Sequence, residues 1–587
     1  MPFFLEVHVK GFNEIASRND LAMFLKIPIS KLTYILYVVN PDKCYHSFSI
    51  PKKSGGERII DAPNDDLKPI QIKLSKCLWE YQQDIWKRNG ITPNIAHAFQ
   101  PGKSIFTNAK IHKNKRYVFN TDLKDFFGSF HFGRVRGFFN KNKEFMLPIE
   151  VATVIAQLVC YKGKLPQGAP TSPIITNMIC SIMDIHLLRV AKKYKLDYTR
   201  YADDMTFSTN DKHFQENYSA FYQEIKDKIE YSGFEINEKK NRLQFRDSKQ
   251  VVTGLVVNKK LSIDHNYYKQ TRAMAHNLYT KGSFVLDNGK PGNINQLEGR
   301  FSFINQVDEY NQNQLKRKKE FDPTVQKDIR TFWTLNGREQ QYKMFLFYKW
   351  FFSNDKPVIV TEGKTDVLYL KAALKSLNIH YPTLIVQKSP TEFEYNITFL
   401  KRSRLLGYLF GVSKDGADSM KNLYRYFSSN NKSGARNYYS YFCKIAQRKS
   451  QKPVILVFDN ELSNKSKPLH NFVNCKEFKI SEKQKDDLIR DCYIRLNDNN
   501  PVYLVTNPLV DEKSESEIED LFEKSVLETE LSGKHFSRED NFDTDKFYGK
   551  AIFSRYVYSH YNKIDFSGFK PMLDAIVKSI ESYSQEK

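Results

Sequence analysis

Two acidic elements in a fixed order constrain this chain most. Tyr117-Val118-Phe119-Asn120-Thr121-Asp122 is an apolar strand pattern ending in a carboxylate, after which Leu123-Lys124-Asp125-Phe126-Phe127 is expected to begin a helix. Further along, Tyr198-Thr199-Arg200-Tyr201-Ala202-Asp203-Asp204-Met205-Thr206-Phe207-Ser208 reads as strand, tight turn and strand, with two adjacent acids at the tip. An Asp-Asp pair at a hairpin tip is by itself an ordinary solvated turn. A strand end and a hairpin tip that bring Asp122, Asp203 and Asp204 to one place are different, because three carboxylates repel one another unless a cation neutralises them.

Phosphoryl transfer explains why such residues are needed. Two hard cations must bridge the attacking hydroxyl, the phosphorus and the leaving pyrophosphate, and hard cations take carboxylate oxygens. Asp122 and Asp203 are the expected shared ligands of two Mg²⁺ ions, with Asp204 as supporting acid.

Composition agrees. Among 587 residues, Lys and Arg outnumber Asp and Glu by 90 to 67, a net charge of +23 that points to a polyanionic partner, nucleic acid before an anionic membrane. No uncharged apolar run is long enough to span a bilayer, and Met1-Pro2-Phe3-Phe4-Leu5-Glu6 turns polar too early for a signal peptide, so a cytoplasmic protein without membrane association is expected. The seven cysteines form no C-x-x-C pair and suggest neither a disulfide framework nor a zinc site. The 44 Phe and 34 Tyr could supply stacking surfaces for bases, although core filling is the commoner role of any single ring.

Length allows two to four domains. Residues 1–45 carry apolar positions at helical spacing (Leu21, Phe24, Leu25, Ile27, Leu32, Ile35, Leu36) and predict a helical cap. Residues 46–257 begin with two short strands around a glycine hairpin, Ile50 to Ile60, and continue as short strands alternating with helices. Residues 258–312 turn helical and basic around an Asp287-Asn288-Gly289-Lys290-Pro291-Gly292 loop, and Lys259, Lys260, Lys269 and Arg272 suit phosphate contacts along a duplex. Residues 313–355, with Lys316 to Lys319 at their start, read as a connector, and 356–587 as a second α/β unit with strands near 358–360, 454–458 and 502–505.

From about residue 20 to 310 the chain resembles reverse transcriptases of the retron family. Tyr201-Ala202-Asp203-Asp204 matches the family's signature box and Leu165-Pro166-Gln167-Gly168-Ala169-Pro170-Thr171-Ser172-Pro173 its Pro-Gln-Gly box. The resemblance implies a right-hand polymerase of fingers, palm and thumb. It places Gln167 against the incoming dNTP, Phe127 as the aromatic gate that excludes a 2′-hydroxyl, and Lys53 and Arg58 as fingers residues reaching the triphosphate. Asn108-Ala109-Lys110-Ile111-His112 and Val252-Thr253-Gly254 resemble the retron elements that help recognise the cognate structured RNA. The family further implies priming from a guanosine 2′-hydroxyl and a branched RNA–DNA product, msDNA.

In the second unit, Pro357 to Leu370 reads strand, tight turn and helix, with Glu362 at the strand's carboxyl end, and Pro453 to Glu461 is a buried strand ending in acids. Asp459 and Glu461, two apart in extended chain, would point to one side and could share a cation. This pattern resembles a Rossmann-like Toprim domain of the overcoming-lysogenization-defect nuclease type, with Asp459-Asn460-Glu461 where that family has Asp-x-Asp. The resemblance implies one or two Mg²⁺ ions held by Glu362, Asp459 and Glu461, support from Asp366 and Glu519, and a nucleic-acid substrate of unknown identity. The expected fold class is thus multidomain α/β and α+β, and the expected protein a retron polymerase fused to a nuclease effector of anti-phage defence, with homo-oligomerisation possible. The alternatives are a non-catalytic msDNA-binding or assembly module in the second half, or a non-retron reverse transcriptase; for one of mobile introns, the usual maturase region and endonuclease motif are not apparent after the thumb, which counts against it.

Overall fold

Residues 11–52, 55–319, 330–331, 334–412, 416–429, 435–510, 513–539 and 541–585 are described by the computed structural model. They divide into two units, Met1–Asp264 and His265–Lys587. A multidomain α/β and α+β architecture is what the alternating patterns predicted.

The first unit opens with the helices Arg18–Phe24 and Ile29–Thr33, the latter continuing to Val39. Ser17 and Asp20 form a capping box on the first helix, and Leu21, Leu25, Leu32, Ile35 and Leu36 are buried as their spacing predicted. Strands β1 (Tyr45–Pro51) and β2 (Glu57–Pro63) then pair antiparallel, returning through Gly55 and Gly56 at φ +86° and +79°. Arg58 is exposed on β2 opposite Ile50, whereas Lys53 lies outside the described residues.

Strands β3 (Tyr117–Asp122), β4 (Asp197–Tyr201), β5 (Asp204–Thr209) and β6 (Arg242–Phe245) form an antiparallel sheet in the order β4-β5-β3-β6. Phe119 and Phe207 meet Phe221 of the helix Phe214–Tyr231, with ring centroids 6.0 and 5.2 Å apart, so one face of the sheet is sealed by aromatic packing. The helix Ser172–Lys193 is long and apolar enough to cross a bilayer, yet Ile174, Ile175, Met178, Met183 and Leu187 are buried in this unit's core. A short hairpin, β7 (Val251–Val252) and β8 (Leu255–Val256), follows the sheet.

The residues after Asp122 differ from expectation. Leu123 to Phe127 was predicted to start a helix, but the Leu123 N–H donates to the Asp203 carbonyl and the Lys124 N–H to the Glu235 carbonyl. Those bonds hold the segment against its neighbours, leaving a single 3₁₀ turn at Phe127–Ser129 and a regular helix only from Phe132 to Lys141.

In the second unit, the helices His265–Lys281 and Ile294–Lys319 flank the predicted loop. The basic run Lys316 to Lys319, expected in a connector, is the last turn of the longer helix. Tyr279 packs on Tyr348 and Phe442, and Phe301 on Tyr342 and Phe345, so these two helices share one apolar core with the residues that follow. Trp350 lies in the helical turn Tyr348–Phe352, and Trp333 lies outside the described residues.

The three predicted strands, β9 (Val358–Thr361), β13 (Val454–Phe458) and β15 (Val502–Thr506), are parallel neighbours. β12 (Thr398–Phe399) adds a parallel edge and β14 (Tyr493–Arg495) an antiparallel one, while β10 (Ile385–Ser389) and β11 (Glu392–Tyr395) form a separate hairpin. Along β13, Val454, Leu456 and Phe458 enter one core and Ile455 and Val457 another, the signature of a sheet covered on both faces.

Candidate active site

Asp122 ends the central strand β3 and pairs in register with Asp204, the first residue of β5. The turn between β4 and β5 needs Ala202 at φ +58°, which brings Asp203 beside them. Burial, and then the charge of Asp122, push Asp203 up to about 6; burial followed by the charges of Asp203 and Asp122 push Asp204 up to about 7. Asp122 is 3% exposed, and its Oδ1 accepts from Lys240 Nζ at 2.8 Å and from Asn237 Nδ2 at 3.4 Å. The sheet thus concentrates negative charge that one lysine offsets only in part.

The turn rests on a buried ion pair that the sequence did not announce. Arg200 is fully buried and donates to Asp184 through Nε at 2.9 Å and Nη2 at 2.8 Å. Its Nη1 donates to the carbonyl of Ala202 at 3.1 Å, directly under the strained residue of the turn. Tyr198 Oη completes the set on Asp184 at 2.9 Å. A charged residue inside a strand carries no local mark of its distant partner, so neither Arg200 nor Lys240 was identifiable beforehand.

Gly168 shows why its box needs glycine: it has φ +135°, and a Cβ there would lie 2.7 Å from the Asp61 carbonyl oxygen. Next to it the Gln167 carbonyl accepts from the Asp61 N–H at 2.9 Å, so this loop is pinned to β2. Phe127 is half-buried, 5.3 Å from Phe126 and 6.5 Å from Phe99 between ring centroids.

The two segments expected to recognise RNA meet each other. The Thr253 hydroxyl donates to the carbonyl of Ile105, the first residue of the helix Ile105–Ile111, at 3.4 Å. Thr253 and Gly254, at φ +46° and +80°, form the two-residue turn of the β7–β8 hairpin, with Gly254 exposed and Val252 buried. His112 is fully buried, its Nδ1 2.7 Å from Ser208 Oγ on β5 and its Nε2 2.7 Å from Thr199 Oγ1 on β4. Asn108 is 1% exposed. Neither side chain has surface to offer an RNA, and what His112 does is bridge the two strands of the acidic hairpin.

The second unit gathers another acidic group at the carboxyl ends of its parallel strands. Glu362 follows β9, and its Oε2 is buried without a hydrogen-bond partner among the described residues. Burial, and then the charges of Glu461 and Asp366, push it up to about 8. Asp366 accepts from the Gly363 N–H at 2.7 Å, and Asp459 from Asn507 Nδ2 at 2.9 Å and the Ile518 N–H at 2.8 Å. Burial raises Asp459 well above its ordinary value, and the charges of Asp366, Glu362 and Glu519 add to the shift. Glu519 is 1% exposed and pairs with Lys550 at 3.2 Å.

Strand alternation does not place Asp459 and Glu461, because β13 ends at Phe458. Asp459 turns to Asn507 and Ile518, while Glu461 is ion-paired with Lys467. Lys467, Lys550 and Asn507 were missed, lying on separate elements with no motif. Among the described residues no three His, Cys, Asp or Glu side chains form a ready metal shell. By donor chemistry both carboxylate groups suit a hard cation, and the orphaned Glu362 oxygen is free to serve as a ligand.

Comparison with known proteins bears on the first half. Residues 50–264 match the family described as reverse transcriptase (RNA-dependent DNA polymerase). The chain is 32% identical to the Retron Mx162 reverse transcriptase of Myxococcus xanthus over 51% of its own length and 65% of that protein, and 34% identical to the Retron Mx65 reverse transcriptase of the same organism over 40% and 55%. It therefore spans less than two thirds of the length of either. A Candida albicans telomerase structure aligns with 52% of the chain and 60% of its own at 12% identity, with a TM-score of 0.29, too low to fix a shared fold. The chain is also 31% identical to the Retron Ec86 reverse transcriptase of Escherichia coli over 51% of its own length and 87% of that protein. With that coverage, with the acids of β3 and β5 on one rung and with the Gly168 loop docked on β2, this chain belongs to the retron reverse transcriptase family.

Proposed function

We propose that the protein is a cytoplasmic, RNA-directed DNA polymerase of a retron, copying a structured RNA from a guanosine 2′-hydroxyl primer into branched msDNA. Fingers and palm would lie in residues 46–257 and the thumb in 258–312. The observation that carries this reading is the Asp122–Asp204 rung with Asp203 beside it, in a chain of the retron family. Asp122, Asp203 and Asp204 would hold Mg²⁺, which when bound supplies charge neutralisation at the phosphates and a more acidic primer hydroxyl. Lys240 holds Asp122 in place, Arg200 fixes the turn carrying Asp203, and His112 ties β4 to β5. Gln167 and Phe127 would line the dNTP site, and Lys53 and Arg58 the triphosphate.

The test is co-expression with the RNA encoded beside the gene. A branched, short single-stranded DNA should appear with wild type and vanish with Asp203→Asn/Asp204→Asn. Extension of an ordinary primer without any such product would leave a polymerase and sink the retron role.

For the second unit we favour a Toprim-type, Mg²⁺-dependent nuclease that acts as a defence effector restrained by msDNA, with Glu362, Asp459 and Glu461 as ligands and Asp366 and Glu519 in support. Supporting it are the acids that follow two of the three parallel strands, Glu362 after β9 and Asp459 after β13, and the orphaned Glu362 oxygen. The competing reading is a binding or assembly module, suggested by Lys467 on Glu461 and Lys550 on Glu519. Glu362→Ala decides between them: loss of effector toxicity with normal msDNA supports the nuclease, and unchanged toxicity supports the module.

A further inference from the structure

The first unit carries a cavity of about 670 Å³ walled by Lys115, Arg116, Arg246, Lys259 and Lys260, with Asp247 as the one acid in its lining. Its position follows from the sheet register. Lys115 and Arg116 precede β3, Arg246 and Asp247 follow β6, and Tyr117 pairs with Thr209 and Phe245 at this end. The Asp122–Asp204 rung lies five residues further along β3, about 17 Å away at the usual rise per residue. The cavity is therefore at the opposite end of the sheet from the acids.

Its cations are only partly neutralised. Lys115 pairs with Asp197 at 2.5 Å and Arg246 with Asp247 at 3.7 Å. Among the described residues Arg116, Lys259 and Lys260 have no ion pair, and the Arg116 guanidinium lies over the Phe245 ring at 5.9 Å. The loop bearing the two lysines is held in shape: Val256 and Ser262 exchange backbone hydrogen bonds at 2.8 and 3.0 Å, and Asn258 Nδ2 donates to the carbonyls of Arg246 and Ser248 at 2.9 and 2.7 Å. Unpaired cations on a braced loop around a cavity larger than one phosphate suit a run of phosphates.

We propose that this cavity binds the phosphodiester backbone of a nucleic-acid strand outside the primer–template duplex, so that Lys259 and Lys260 do not follow the duplex being copied. The strand is either a folded part of the RNA or the single-stranded DNA product, since both present the same phosphates. The inference leans on the proposed polymerase only for nucleic acid being the anion.

The experiment compares the full-length protein with Lys259→Glu/Lys260→Glu, and with Lys259→Ala/Lys260→Ala should charge reversal disturb folding. Anisotropy across a salt series would be read with three probes: a short RNA–DNA primer–template, an RNA stem-loop and single-stranded DNA. The expected result is a loss of about tenfold or more in affinity for the stem-loop or the single strand, and a fall of about 1.5 in the magnitude of the log–log salt slope for two lost phosphate contacts. Whichever of those two probes responds identifies the strand, and primer extension on the short duplex should be unchanged. Unaltered affinity for both longer probes overturns the proposal, as does an equal loss on the short duplex, which would put the lysines on the copied duplex. Wild type that binds a stem-loop in a lysine-dependent way but extends no primer upholds the cavity and defeats the polymerase.

Discussion

Asp122 and Asp204 are partners across β3 and β5, and the adjoining Leu123 N–H donates to the Asp203 carbonyl at 3.1 Å. The backbone thus holds three carboxylates together whatever their charge, and several consequences can be measured.

Asp204 is the first. Its folded value of about 7, against an ordinary 3.8, means the folded state keeps this proton more tightly than the unfolded chain. Stability from it is full below the ordinary value and is lost as pH rises to about 7. Asp204→Asn should therefore stabilise chelator-treated protein at about pH 8 by on the order of 1–3 kcal/mol, and much less at about pH 4. Urea melts at both pH values check this, and a variant equally shifted at both would show that the charges are not the cause. The same variant should reduce primer extension to background.

The Arg200–Asp184 pair makes a different prediction. Removing one partner strands a buried charge, so Arg200→Met or Asp184→Asn should each cost about 3–5 kcal/mol in denaturant unfolding. Arg200→Lys should recover little, because an ammonium cannot reproduce the two-pronged contact or reach the Ala202 carbonyl as well. A near-native Arg200→Lys melt would contradict this.

Gly168→Ala tests the docking of its loop on β2. The added methyl meets the Asp61 carbonyl oxygen at 2.7 Å on a backbone with φ +135°, so the loop must move. We expect a loss of about 1–3 kcal/mol and a raised KM for dNTP. Unchanged melting and kinetics would show that the contact is dispensable.

His112 gives the opposite pH sign to Asp204. Burial first, then the nearby Lys115 and His97, hold it near 3 rather than 6.5, so it stays neutral when folded and takes up a proton when unfolded. Its contribution is complete above the ordinary value and declines as pH falls from 6.5 toward 3, by about 2 kcal/mol at about pH 5. Comparing wild type with His112→Gln between neutral pH and about pH 5 should show a shallower acid loss in the variant. Parallel curves would remove the histidine from the account.

The strand ending at Asp122, the hairpin carrying Asp203 and Asp204, the glycine return before Arg58 and the strand preceding Glu362 were all legible in the sequence. Each is a local signal, a few apolar residues bounded by a turn or an acid. The partners were not legible. Lys240 on Asp122, Asp184 under Arg200 and Lys550 on Glu519 join residues from different elements. Nor did sequence reveal that Asn108 and His112 face inward, or that the helices His265–Lys281 and Ile294–Lys319 share a core with the parallel strands of the second unit. Periodicity tells a residue which face it occupies and says nothing about what covers that face. The sequence alone determined the acids and the strands that carry them; only tertiary packing decided which charges meet, because contacts between distant segments have no local trace.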